Sequence, residues 1–297
     1  NLLYFKSFFN YENTKGLIDN SQNIKQNAYS VGGAFHYTPS TSLITSISFR
    51  QELNSNFKVP LSLSLAAEQK LNKKFTLKTN LSTNYRVPTF NERYWPIIGN
   101  KNLIPENSYQ AELGTEFKNK NFELSTTLYY IKIHNKIIWN PSSSTNSWRP
   151  DNIKNVNNHG SEIFISYRKA INKHKIQFSS NYTFTVAKNS STNTFLTYSP
   201  KHLLNYNLEY SSRRITTYLQ NLYQSKVYTK REINIDFYSL APVNVHNYGI
   251  EYNLIKKQNS SLTIGGKINN LFNKIYYFSN LRPMPGRNFN ININYKF

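Results

Sequence analysis

The last nine residues alternate without a break: Phe289, Ile291, Ile293, Tyr295 and Phe297 are apolar, with Asn290, Asn292, Asn294 and Lys296 between them. A period of two sends successive side chains to opposite faces of an extended chain, so this segment reads as a strand with one greasy and one wet face. The same spacing recurs at Phe75, Leu77, Leu81 and Tyr85, at Ile176, Phe178, Tyr182, Phe184 and Val186, and at Leu204, Tyr206, Leu208 and Tyr210. It returns at Tyr248, Ile250, Tyr252 and Leu254, and at Leu262, Ile264, Gly266 and Ile268, while no helix-period segment of any length is found. Applied throughout, the pattern predicts strands at 2–12, 26–37, 42–53, 59–70, 74–87, 107–118, 121–138, 153–169, 174–187, 201–211, 214–226, 244–256, 261–275 and 287–297, about 14 in all.

The connections between these strands fall into two kinds. Every second one is a tight turn: TPST around Pro39, NKK ending at Lys74, KNKN around Asn119, AINKH around Asn172, SSRR ending at Arg214 and KKQNS around Gln258. The others are long, at 13–25, 88–106, 139–152, 188–200, 227–243 and 276–286, with 54–58 as the short exception. Short turns at one rim and long loops at the other describe a bacterial outer-membrane barrel, and they put the C-terminus on the short-turn, periplasmic side. The expected fold is therefore all-β, an antiparallel transmembrane β-barrel.

Composition supports strands over helices. Hydrophobic residues make up 38% of the 297 and aromatics 15%, with 23 Tyr and 19 Phe against a single Met. No stretch approaches the roughly 18 consecutive apolar residues of a spanning helix, whereas a spanning strand needs only about 10 residues with every second one facing lipid. The first residues, NLLYFKSFFNYEN, already read as a strand and lack the pattern of a secretory signal. A soluble sandwich or propeller would use similar alternation, but it would leave this much outward Tyr and Phe uncovered.

The net charge of +21 ordinarily points to a polyanion, but Lys and Arg are spread along the chain and gather in turns, with no basic helix or aromatic RNA-binding signature, so no nucleic-acid partner is expected. Zero cysteines exclude a disulfide framework and thiolate metal sites. The histidines at 36, 134, 159, 174, 202 and 246 have no metal-ligand spacing. No acid/base pair, nucleophile elbow, phosphate loop or dinucleotide fingerprint occurs, so neither an enzyme nor a cofactor is expected.

Two segments carry a resemblance. In NYRVPTFNERYWPIIGNKNLIPENS, Tyr85, Arg86, Val87, Pro88, Thr89, Asn91, Glu92, Gly99, Asn100, Asn102, Leu103, Pro105 and Glu106 stand where a known family has its mid-barrel motif. In NNLFNKIYYFSNLRPMPGRNFNININYKF, Asn270, Leu271, Phe272, Lys274, Tyr276, Pro283, Met284, Pro285, Gly286, Arg287 and Phe297 match its closing motif. The family is that of the TonB-dependent outer-membrane receptors, and the resemblance extends from about residue 60 onward. It implies the C-terminal part of a barrel of about 22 strands, lacking the N-terminal plug, the TonB box and the first strands. It also implies a bacterial outer-membrane location and uptake of a scarce small molecule such as a ferric siderophore or cobalamin.

The implied partners are outer-membrane lipid and lipopolysaccharide, the barrel-assembly machinery, and TonB only through the missing plug. Ile293, Tyr295 and Phe297 would form the assembly signal. Within the motifs, Arg86, Pro88, Glu92, Asn100, Pro105, Glu106, Asn270, Leu271, Phe272, Pro285, Gly286 and Arg287 are read as structural; Arg287 is also a candidate ligand or plug contact, but Pro285 and Gly286 favour a turn. Trp95, Trp139 and Trp148 suit interface anchoring, with stacking on a ligand as the other use. The outward binding surface is expected at Arg93, Tyr94, Trp95, Arg149, Tyr228, Arg231 and Tyr238, because loops on a rigid scaffold carry recognition and Arg with Tyr suits an anionic, amphipathic ligand. A self-closed channel of 14 strands and a soluble basic β-protein are the alternatives.

Overall fold

In the computed structural model the described residues are 2–18, 22–141, 148–230, 234–256 and 260–297. In chain order they form β1 (Leu2–Ile18), β2 (Gln22–Ser40), β3 (Leu43–Asn54), β4 (Ser62–Lys70), β5 (Phe75–Arg86), helix α1 (Phe90–Tyr94), β6 (Glu106–Lys118), β7 (Phe122–Pro141), β8 (Trp148–Ile171) and β9 (His174–Asn189). There follow β10 (His202–Ser211), β11 (Ile215–Gln224), β12 (Val227–Tyr228), a 3-10 turn (Asp236–Tyr238), β13 (Ser239–Leu240), β14 (Val243–Lys256), β15 (Ser261–Asn269), β16 (Tyr277–Ser279), β17 (Arg282–Pro283) and β18 (Asn288–Lys296). Fourteen long strands make one antiparallel sheet in sequence order, and β12–β13 and β16–β17 are two small hairpins in its long connections. The sheet is open: β1 and β18 are its edges, and the pairing that a self-closed channel of 14 strands needs is not made among the described residues.

Register keeps the two faces distinct across the whole sheet. One transverse row reads Ile47, Leu65, Leu81, Ala111, Tyr130 on five successive strands, and the row beside it on the other face reads Ser46, Ala66, Asn80, Glu112, Tyr129. Large apolar residues such as Phe9, Leu65, Leu81, Leu128, Ile250, Ile264 and Phe289 stand exposed on the apolar face, and among the described residues no second sheet lies over them. That surface needs a hydrocarbon solvent, and sheet hydrogen bonds satisfy the backbone within it. Nine acidic residues, Glu12, Glu52, Glu68, Glu112, Glu116, Glu123, Glu162, Glu209 and Glu251, all fall by register on the polar face. On that face Tyr129 lies across Gly160 and Tyr218 across Gly249, its direct cross-strand partner in each case, and a Cβ on either glycine would collide with the ring.

The close-packed core lies at the long-loop rim and not between layers. Pro88, Leu103, Ile137, Pro150, Ile153, Val156, Val227, Leu240, Val243 and Val245 are buried there, where connections fold over strand ends. A wall one sheet thick has no interior of its own, so the only apolar burial it can make without lipid is at its rim.

All fourteen expected strands are present, but several boundaries move. The segments 13–25 and 139–152, expected as long loops, are largely ladder: β1 pairs with β2 from Leu2↔Thr38 to Ile18↔Gln22, and β7 with β8 as far as Pro141↔Trp148. Outside the bilayer both faces meet water, so alternation disappears while backbone pairing continues. The strand expected at 261–275 stops at Asn269, because Asn270 and Asn273 adopt left-handed backbone (φ 51° each) and turn the chain. The α1 helix gave no periodic signal because it is only five residues long. The turn expected around Gln258 lies largely outside the described residues.

Candidate functional site at the long-loop rim

Arg86 closes β5, and the following Val87-Pro88 step leads into Thr89, which caps α1. The Thr89 hydroxyl accepts from the Glu92 backbone N–H at 3.2 Å, and the Glu92 carboxylate accepts from the Thr89 N–H at 2.8 Å, a capping box. Glu92 also receives Arg86 Nη1 and Nη2 at 3.0–3.1 Å. The same guanidinium donates Nε (3.1 Å) and Nη2 (2.6 Å) to Glu106 at the start of β6, and Glu106 further accepts from Lys136 Nζ (3.3 Å) and the Ile137 N–H (2.9 Å). Burial pushes the Glu92 carboxyl up, but Arg86 and the two Thr89 donors outweigh it and hold the group below its ordinary range.

This node is charge-neutral and closed on itself, so it clips the loop and leaves nothing for a ligand. The rest of the motif extends the clip. Asn100 is buried, donates to Pro150 O and Asp151 Oδ1 (3.1 Å each), and accepts from the Asn102 N–H, which fastens the 88–105 connection to the start of β8. Gly99 is required because a Cβ there would meet Arg93 O and Trp95 N at 2.7 Å.

The closing motif works the same way. Asn270, 2% exposed, donates to Lys274 O (2.7 Å) and Pro285 O (3.3 Å) and accepts from the Lys274 N–H (2.8 Å), while Asn273 accepts from the Arg287 N–H (2.9 Å). Asparagine supplies both the left-handed backbone and the tie between two segments. Leu271 donates its N–H to His246 O, and the Phe272 ring lies edge-on to His246. Arg287 enters this contact through its backbone N–H.

The expected binding residues separate into two groups. Arg93 is sandwiched between Phe57 (4.8 Å) and Tyr94 (4.9 Å), Trp95 is exposed at the end of α1, and Arg149 is exposed on the β8 extension beside Pro150. Tyr228 and Tyr238 lie on the other group, in the β11–β14 connection; Arg231 is outside the described residues. This second group contains residues that sequence reading missed. Phe195 stacks on Tyr228 (6.2 Å, 14°), and Lys188 and Lys201 lie over the Phe195 ring at 4.8 and 4.0 Å. Lys226 lies 5.4 Å from the Tyr228 ring and Lys230 4.0 Å from that of Tyr238. Asn234 fastens the two loops through the Phe195 N–H (2.6 Å), and Tyr198 N–H donates to Tyr228 O (2.9 Å). The signal available was a lone aromatic in a polar run, STNTF, followed by Lys201.

Asp236, paired with Lys226, is the one carboxylate in the contacts just described, and its acceptance from Lys226 raises that ammonium's pKa above the ordinary value. Elsewhere, sequence reading also missed the polar-face node at Glu52. Its Oε2 accepts from Tyr85 Oη (2.8 Å), Arg50 Nη2 (2.8 Å) and Ser30 Oγ (3.3 Å), beside a cavity of ≈ 780 Å³ lined also by Lys6 and Glu12. No group of three His, Asp or Glu poised for a metal ion occurs among the described residues.

An open antiparallel sheet with a lipid-seeking face, a polar face, tight turns at one rim and packed loops at the other defines the wall of an outer-membrane β-barrel. A family model described as "TonB dependent receptor-like, beta-barrel" matches residues 3–271, and the chain belongs to that family. It is 26% identical over 220 residues to the vitamin B12 transporter BtuB of Vibrio vulnificus, covering 72% of this chain and 34% of that protein. It is 25% identical over 258 residues to BtuB of Photobacterium profundum, covering 84% and 40%. Among solved structures it resembles the ferric enterobactin receptor PfeA of Pseudomonas aeruginosa (TM-score 0.76, 18% identity, 94% of this chain and 46% of that one). It also resembles the siderophore receptor PirA of the same species (TM-score 0.71, 21%, 99% and 51%). The chain thus spans about a third to two-fifths of the length of these curated relatives.

Proposed function

We propose that this chain is part of the wall and outward rim of an outer-membrane receptor that takes up a scarce small molecule by a TonB-dependent route and performs no chemistry on it. The observation that carries the reading is the rim cluster of Phe195, Tyr228 and Tyr238 with four lysines over their rings. Ammonium groups gathered against aromatic rings make a cationic, amphipathic surface that suits an anionic ligand, which favours an anionic ferric chelate of the siderophore class. Trp95 and Arg149 extend the same outward surface on the neighbouring loops. The relatives named as vitamin B12 transporters support a second reading, in which the ligand is cobalamin.

Transport requires a plug and a TonB-contacting segment, which this reading assigns to other parts of the longer protein. Ile293, Tyr295 and Phe297 stand exposed in a row at the end of the chain and are proposed as the assembly signal. The test is uptake by a receptor-deficient bacterial strain expressing the full-length protein, offered iron-labelled anionic siderophores and cobalt-labelled cobalamin. Uptake of the iron chelate that falls at least tenfold with Phe195→Ala plus Lys201→Gln supports the proposal. Uptake of cobalamin alone selects the second reading, and energy-independent leakage of general solutes would replace both with a passive channel.

A further inference from the structure

Four successive short turns join β4 to β5, β6 to β7, β8 to β9 and β10 to β11, and every one of them is cationic. Beyond the last paired residues, Lys70↔Thr76, Lys118↔Glu123, Ile171↔His174 and Ser211↔Thr216, stand Lys73 and Lys74, then Lys120, then Lys173, then Arg213 and Arg214. All six are exposed, and none is in an ion pair among the described residues. Two of the turns share one build. The Asn72 carboxamide oxygen accepts from the N–H groups of Lys74 (2.8 Å) and Phe75 (3.0 Å), and that of Asn119 accepts from Asn121 (2.9 Å) and Phe122 (2.8 Å), so a fixed turn holds Lys73 or Lys120 at its tip. Asn172, in left-handed backbone (φ 54°), precedes Lys173 in the same way.

None of the chain's 15 acidic residues falls in these turns, whereas the long-loop rim contains Glu92, Glu106 and Asp236. Neighbouring strands lie about 4.8 Å apart, so turns two strands apart repeat at about 10 Å and the four tips form a row of one sign about 30 Å long. Adjacent cations such as Lys73 and Lys74, or Arg213 and Arg214, repel each other, and an external anion would relieve that repulsion. Cations on the strands themselves, such as Lys169, can extend to lipid headgroups, but these six lie past the last ladder pairs. Residues 72–74, 119–121, 172–173 and 212–214 are only Asn, Ser, Lys and Arg. A globular partner needs apolar or aromatic anchors, which the tips do not offer, while an extended polyanion needs only the row of charges.

We propose that the short-turn rim is a docking surface for an extended, carboxylate-bearing polymer, the peptide-substituted glycan of the cell wall beneath the outer membrane. Short turns face the periplasm in such barrels, which puts the row on the side where that polymer lies. Each exposed ammonium–carboxylate contact is weak, but tips repeating along one rim engage one chain together, and binding follows from their number. The inference rests on the orientation of the wall in the membrane and is independent of which soluble ligand is transported.

The test uses the full-length protein in detergent, cosedimented with insoluble cell-wall sacculi, either native or with their carboxylates converted to neutral amides. The parent protein should sediment with native sacculi, less so as salt is added. The bound fraction should fall about tenfold on amidated sacculi and in the tip variant combining Lys73→Gln, Lys120→Gln, Lys173→Gln and Arg213→Gln. A matched variant at the long-loop rim, combining Lys15→Gln, Lys25→Gln, Lys58→Gln and Lys101→Gln, should bind like the parent. Migration as a folded band before heating identifies variants that have assembled. Absence of sedimentation by the parent, equal binding to amidated sacculi, unchanged binding by the folded tip variant or equal loss in the two variants overturns the proposal. Retention of phosphatidylglycerol, counted by native mass spectrometry, that falls in the tip variant while sacculi are not bound would assign the row to the phospholipid leaflet and overturn it as well.

Discussion

Replacing Arg86 with Met tests whether the mid-barrel motif is a clip. The substitution removes a guanidinium that makes five contacts of 2.6–3.1 Å with Glu92 and Glu106. It leaves Glu92 with only its Thr89 donors and Glu106 with Lys136 and the Ile137 N–H. Breaking a fully buried pair by deleting one partner costs about 3–5 kcal/mol. The Arg86 side chain is 39% exposed, so water can re-solvate part of what is lost, and about 2 kcal/mol is the appropriate expectation.

Because the pair joins a loop to strand ends, that loss should be local. It corresponds to about a 30-fold faster opening. The amides that report it are those of Arg93, Gly99 and Asn100 inside the connection, and of Ile137, bonded to Glu106. Hydrogen exchange of the full-length protein in detergent, read by mass spectrometry, should show this acceleration in residues 88–105 and around 137, while β3 and β4 amides keep their protection. Unchanged exchange in the loop would show that the contacts contribute nothing. Equal acceleration in the spanning strands would show that the node supports the wall, and the clip would have to be abandoned.

The depressed pKa of Glu92 gives the clip a pH dependence of known sign. Its stabilisation is complete above the ordinary value of 4.5 and is lost as pH falls through the lower folded value, so Trp95 fluorescence in a Trp139→Phe, Trp148→Phe background should shift below about pH 4.5, and Arg86→Met should move that transition upward. Gly160→Val should abolish the folded band before heating, since a Cβ there strikes both Phe184 O and the Tyr129 ring, whereas Gly114→Ala, whose nearest new contact is Thr127 Oγ1 at 3.3 Å, should assemble. Asn270→Ala removes three side-chain hydrogen bonds at a left-handed residue and should lower the midpoint of urea unfolding by the equivalent of about 2 kcal/mol, with Asn270→Gly recovering only the backbone part.

Where the sequence was legible, lipid made it so. From Phe75 to Tyr85 or Phe289 to Phe297, alternation is enforced by hydrocarbon on one side, and the expected strands agree with the structure to within a few residues. Beyond the bilayer that constraint ends, and the sequence around Trp139 and Arg149 reads as loop although β7 and β8 pair as far as Pro141↔Trp148. The motif residues were identifiable by resemblance, but their connections were not, because Asn100 reaches Asp151 across 51 positions and Arg86 divides its guanidinium between Glu92 and Glu106. The rim cluster was half legible. Tyr228 and Tyr238 stand out in the sequence as loop aromatics, while Phe195 and the lysines over it become a cluster only when two separate connections pack together.

The charge of the chain acquires its meaning from the register. Each acidic residue within the fourteen long strands, apart from those at the rim, turns to the polar face, where an ionised carboxylate keeps water or a cationic neighbour: Lys78 donates to Glu116, and Lys118 pairs with Glu123. A carboxylate on the other face would meet acyl chains in the middle of the wall and like-charged phosphates at its outer edge, and register places none there. Cations escape half of that penalty, since a lysine near the end of a strand can extend to the headgroups, as Lys132 and Lys169 are placed to do. The surplus of +21 is therefore the residue of one-sided exclusion: acids have a single permitted face and the loops, while lysines have both faces, the turns and the rim. On this argument the excess charge follows from membrane placement, and the cations proposed for ligand recognition are the few that the fold holds over aromatic rings.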